Sequence, residues 1–155
     1  MRDWGLAGGP WPGQSTAMLS NKARYAMRAL LALAEVAPAS VSITALAEQT
    51  DAPRKFLEAI LLELNRAGLL VSRMGRAGGY SLARPAAMIS LADIIRVVDG
   101  PLALAPCASV TSPGRCITCP DMEACGLRPA LIASRNAVAK VLEEWTLDRA
   151  RIPID

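Results

Sequence analysis

Histidine is absent from all 155 residues. That removes the commonest general base and the commonest metal ligand together, so acid–base chemistry near neutral pH has no ordinary agent here. Aromatic residues make up only 4% of the chain, so Leu, Ala, Val and Ile must fill the core, as in small helical proteins. No eighteen-residue apolar run is present, which argues against a membrane-spanning helix. The start of the chain lacks the basic segment and apolar stretch of a secretory signal. Instead, residues 1–17 carry Trp4, Gly8, Gly9, Pro10, Trp11, Pro12 and Gly13 without periodicity, and read as a disordered extension. Met18 offers an alternative start.

Cysteine, by contrast, is concentrated. All four residues of this type, Cys107, Cys116, Cys119 and Cys125, fall within nineteen positions, separated by Pro, Gly, Ser and Thr. Without an export signal the expected compartment is a reducing cytoplasm, where such a cluster binds metal or performs redox chemistry more often than it forms structural disulfides. Four thiolates suit a [2Fe–2S] or [4Fe–4S] cluster, and equally a tetrahedral zinc ion, for which Cys116-Ile-Thr-Cys119 has a knuckle spacing. A metal-free thiol–disulfide switch is the third possibility. A small electron-transfer or thiol enzyme is the weakest reading, because histidine, a phosphate-binding loop and any substrate-sized constellation are all missing.

The net charge of +3 says little until it is located. From Ser20 to Arg84 there are nine Lys/Arg against five Asp/Glu, whereas from Pro85 to the end there are seven against eight. The positive excess therefore lies in the N-terminal half, where an anionic partner would dock.

That half also has the pattern of a DNA-binding module. Ser20 is placed to cap a helix over residues 21–36, and Ala26, Leu30, Leu33 and Ala34 recur on one face. Ser42 opens a short helix over 43–49. A third, over 53–67, has a stripe of Phe56, Leu57, Ile60, Leu61 and Leu64, and stops at Gly68. Its first turn carries Arg54, Lys55 and Glu58 away from that stripe. Two helices joined by a tight turn form either an ordinary hairpin or a helix-turn-helix, in which the start of the second helix meets base edges. The next segment favours the second: residues 69–74 and 80–83 read as two strands around a glycine-rich turn, a wing carrying Arg73, Arg76 and Arg84. Ser90, with Asp93 three residues on, marks a fourth helix that ends at Asp99-Gly100-Pro101. Beyond the cysteines, residues 127–144 read as a long helix with Leu131, Ile132, Val138, Val141, Leu142 and Trp145 mostly on one side. A second copy of the chain is the natural cover for it.

These stretches resemble one family. The run Leu19 to Leu30, Phe56-Leu57-Glu58, Gly68-Leu69-Leu70, Gly75 with Gly78-Gly79-Tyr80-Ser81-Leu82, Ile89 to Ile95 and Thr146-Leu147-Asp148 are similar to the Rrf-two family of bacterial regulators. The resemblance covers about residues 18–149. It implies a mainly α fold with a small β-hairpin wing: a winged helix-turn-helix domain plus a long C-terminal dimerisation helix. It further implies a homodimer in the cytoplasm that binds paired half-sites on double-stranded DNA as a repressor, and senses iron, iron–sulfur or redox and nitrosative status.

Family base-reading positions fall on Arg54, Lys55 and Glu58, and the wing contributes Arg73, Arg76 and Tyr80. The wing arginine that some members place in the minor groove corresponds to Met74. Three family cluster ligands correspond to Cys107, Cys119 and Cys125. The fourth varies among relatives: one uses a histidine, which this chain lacks, and another an aspartate whose position is occupied by Arg24. Chemistry therefore nominates Cys116 as the fourth ligand. The implied organisation is an extension (1–17), a winged helix-turn-helix domain (18–100), a cysteine loop (101–126), a dimerisation helix (127–150) and a tail (151–155).

Overall fold

The computed structural model describes residues 19–75, 78–116 and 121–151. The proposed extension, Arg76 and Cys119 lie outside these.

Helix α1 (Asn21–Val36) begins at Ser20, whose hydroxyl accepts the Ala23 N–H at 3.0 Å. Its buried face consists largely of alanines, Ala23, Ala26, Ala29 and Ala34, with Leu30 and Leu33. Small side chains let neighbouring helices approach closely, while the two leucines supply most of the buried apolar area. Helix α2 (Ile43–Thr50) is capped by Ser42 and ends at Asp51, which adopts the left-handed conformation at φ 52° and ψ 41°. Helix α3 (Arg54–Arg66) follows after Pro53 and buries Leu57, Ile60, Leu61 and Leu64. Phe56, expected in that stripe, is 40% exposed; it sits on the stripe's margin and meets the Tyr25 ring edge-on at 5.9 Å.

The chain then forms an antiparallel hairpin, β1 (Leu70–Arg73) with β2 (Gly79–Leu82), in which Leu70 faces Leu82 and Ser72 faces Tyr80. Its base is anchored to the body, since Val41 and Tyr80 exchange both backbone hydrogen bonds at 2.9 Å. Glycine at position 79 makes this possible. At φ 154° an added Cβ would lie 2.3 Å from the Val41 carbonyl oxygen, well inside contact distance.

A 3-10 turn (Ala86–Met88) leads into helix α4 (Leu91–Val98), whose capping box is complete: Ser90 Oγ accepts from Asp93 N and Asp93 Oδ2 accepts from Ser90 N. At its other end Asp99 accepts the Ser20 N–H at 3.0 Å and the Ser20 hydroxyl, joining α4 to the start of α1. These elements share one core, to which helix α6 (Leu147–Ala150) adds the fully buried Leu147.

Helix α5 (Arg128–Glu144) is different. None of its 17 residues is buried. Its C-terminal end is fixed to the body: Glu143 pairs with Arg96, Leu91 N donates to Trp145 O at 2.8 Å, and Leu147 N donates to Ile89 O at 2.9 Å. Among the described residues no helix is long and apolar enough to cross a membrane.

Candidate nucleic-acid interface and cysteine centre

The turn between α2 and α3 is held from behind. Arg28 of α1 donates to the Thr50 carbonyl at 3.3 Å, and the buried Thr50 hydroxyl donates to Leu46 O at 2.7 Å. This fixes the angle at which α3 leaves the body. Arg54 and Lys55 in its first turn, and Glu58 just past it, are exposed and lie away from the buried leucines.

Pro53 gives the helix no side-chain cap, and the first turn contains no acid. Two cations at the positive end of a helix dipole are unfavourable by roughly 0.3–1 kcal/mol each. An anion placed there would be bound by both the exposed N–H groups and the cations. The local electrostatics thus oppose folding and favour an acceptor-rich, negatively charged partner.

Arg73 stands exposed on β1, and Met74 beside it is fully exposed. Tyr80, assigned to the same face from sequence, is half-buried and packs against the core while its backbone ties the wing to Val41. Its structural role was not visible in the residue order, because Val41 lies 39 positions away. Arg84 is paired with Asp93 at 3.6 Å.

The cysteine loop begins as an ordered knot. Cys107 lies in a 3-10 turn (Pro106–Ala108) and is 6% exposed. Gly114 N donates to Pro106 O at 3.1 Å, and Ser112 N donates to the buried Ser109 Oγ at 3.0 Å, folding the next residues over the turn. This brings Cys116 Sγ to 3.8 Å from Cys107 Sγ. The Cys107 thiol is pushed up from its ordinary pKa, first by burial, then by the hydrogen bond with Cys116 and by the charges of Cys116 and Cys125.

Cys125 is half-buried just ahead of α5. There Arg128 donates its backbone N–H to Cys125 O at 3.1 Å and its Nε–H to Cys107 O at 3.2 Å. Arg128 was not singled out from sequence, and no local pattern marks a contact across 21 residues.

Two thiolates on one tetrahedral metal, each with a bond of about 2.3 Å, stand about 3.8 Å apart. The Cys107–Cys116 pair has that separation, and thiolates are the soft donors that iron–sulfur clusters and zinc require. The residues present therefore fit such a group. Among the described residues, which exclude Cys119, no three His, Cys, Asp or Glu side chains converge as a metal site.

Comparison with known proteins agrees with the fold. Residues 19–150 match the family model of Rrf2, described as an iron-dependent transcriptional regulator. An rrf2-like candidate HTH-type transcriptional regulator of Rhodobacter capsulatus is 35% identical over 150 residues, 82% of this chain and all of that one. Among solved structures, CymR of B. subtilis, the global cysteine regulator, superposes with a TM-score of 0.69 at 28% identity, covering 88% of this chain and 98% of its own. IscR of T. potens gives 0.64 at 25% identity, covering 92% and 97%. The exposed first turn of α3, the anchored wing and the long C-terminal helix thus belong to a protein that regulates transcription rather than to an enzyme: the chain is a member of the Rrf2 family of winged helix-turn-helix regulators.

Proposed function

We propose that this regulator is a homodimeric, cytoplasmic repressor whose affinity for paired operator half-sites depends on an iron–sulfur cluster in the cysteine loop. The observation that carries the reading is the Cys107–Cys116 sulfur separation of 3.8 Å, in a loop joining the DNA-binding body to α5. Cys107, Cys116, Cys119 and Cys125 would hold the group. When bound, it supplies a centre that oxidants, nitric oxide or iron shortage can alter. The same separation suits zinc, which is the second reading.

The remaining work falls to the chain's own residues. Arg54, Lys55 and Glu58 would address base edges in the major groove, while Arg73, Arg76 and Tyr80 would set the wing against the backbone and minor groove. Helix α5 would pair with a second copy: Leu127 is 72% exposed and Val141 55% exposed, on a helix with nothing buried. An apolar groove between α4 and α5, lined by Met27, Leu91, Ile95, Leu104, Val138 and Leu142, continues that surface. Pairing two bodies fixes the distance between their α3 helices, so a shift in α5 changes the fit to half-sites one helical turn apart.

Anaerobic purification with an absorbance spectrum and assays of iron, sulfide and zinc tests the cofactor. Coloured protein with equal iron and sulfide is expected. Colourless protein containing one zinc per chain would replace the cluster reading with the zinc one.

A further inference from the structure

We propose that Arg128 is the positioning residue that ties the cysteine loop to α5, so that a change at Cys107 is passed directly to that helix. Two contacts carry the proposal. The backbone N–H of Arg128 donates to the carbonyl of Cys125 at 3.1 Å, and its Nε–H donates to the carbonyl of Cys107 at 3.2 Å. One residue in the first turn of α5 therefore grips the backbone of the first and the last cysteine of the loop.

The bonds that shape the Cys107 turn itself are local, such as Ala108 N to Ala105 O and Ser109 N to Pro106 O. They order the turn itself, and Arg128 adds a bond from that turn to α5. A guanidinium donor to a carbonyl forms the stronger, charge-assisted class of hydrogen bond, and its planar fork holds a direction that a flexible ammonium does not.

The other end of α5 is fastened to α4 through Glu143–Arg96 and through Leu91 N to Trp145 O. A helix pinned at its far end and gripped at its near end acts as a lever. Displacement of the Cys107 turn must either swing the start of α5 or break the Arg128 bond. The consequence for DNA rests on the function proposed above. The grip itself does not, and the two are tested separately.

Reduced, metal-free full-length protein is treated with iodoacetamide, and modification of each cysteine is followed by mass spectrometry alongside the melting temperature. In Arg128→Gln the Cys107 rate is expected to rise on the order of tenfold, the effect of losing one such hydrogen bond. Cys116 and Cys125 should stay within about twofold, with the melting temperature unchanged. Arg128→Lys, whose Cε takes the place of the donating Nε, is expected to leave the Cys107 rate raised as in Arg128→Gln. An unchanged Cys107 rate overturns the grip, as does a uniform rise at all three cysteines with a lowered melting temperature.

For transmission, Arg128→Gln loaded with iron and sulfide is compared with its metal-free form in gel shifts. The ratio of their operator affinities should collapse towards one, although the cluster absorbance is retained. A ratio equal to the wild type's overturns transmission. If the wild type itself shows no ratio, the sensing function fails while the alkylation result still decides the grip.

Discussion

The body of the molecule and its C-terminal arm are built on opposite terms. From α1 to α4 nearly every helix buries a continuous apolar face, and each start is fixed by a cap or a turn. Among the described residues from Pro101 onward, burial is confined to the Cys107 knot and to Leu147, and none of the 17 residues of α5 is fully buried. The body holds the hydrophobic core, which Leu147 of the arm completes. The arm buries little, and on the function proposed above its thiols would take a metal and its apolar helix face a second copy. A part with little stability of its own is the part that a ligand or partner can move.

Substitutions that treat the two halves alike should expose this contrast. The largest effect is expected in the body, where Leu57→Ala removes a fully buried side chain from α3 and should cost about 2–5 kcal/mol in urea unfolding. The matching change in the arm, Leu131→Ala on the half-buried side of α5, should cost less than about 1 kcal/mol in the same experiment and appear instead as weaker dimerisation by sedimentation. Equal costs would erase the distinction.

Gly79→Ala comes next. Its Cβ would strike the Val41 carbonyl, and the wing should detach at a cost of about 2–3 kcal/mol. Operator binding should be lost in gel shifts while the cysteine loop, far along the chain, keeps its metal content. Arg54→Ala and Lys55→Ala should each weaken operator binding by about 1–2 kcal/mol with a shallower salt slope, and leave cluster absorbance intact. Loss of both properties would mean that the first turn of α3 is structural instead. At the body's surface, Ser90→Ala removes one half of the α4 capping box and should lower stability by about 1 kcal/mol.

The body was legible in the residue order because its signals are local. Ser20, Ser42 and Ser90 sit as caps where capping serines are expected. The apolar spacing of α3 marks its buried face, with the single exception of Phe56 at the margin. What escaped was every contact made across long sequence separations. Tyr80 on Val41, Asp99 on Ser20 and Arg128 on Cys107 have no periodicity to betray them, since each depends on where a loop returns. The same holds for the cysteines. Their clustering was plain, but the burial of Cys107 and its approach to Cys116 follow from a turn closed by Gly114 and Ser112. Helix α5 was visible as a helix, yet its lack of burial is a property of the fold and not of its pattern.

The most direct test of the account is the operator affinity of the same protein with and without its cluster. Anaerobic gel shifts would be run on iron- and sulfide-quantified protein before and after chelation, with Cys116→Ala as the control that cannot be fully reloaded. The account predicts a change of at least about tenfold, roughly 1.4 kcal/mol, between loaded and metal-free wild type, and no change for Cys116→Ala. Identical affinities for loaded and metal-free wild type would contradict it.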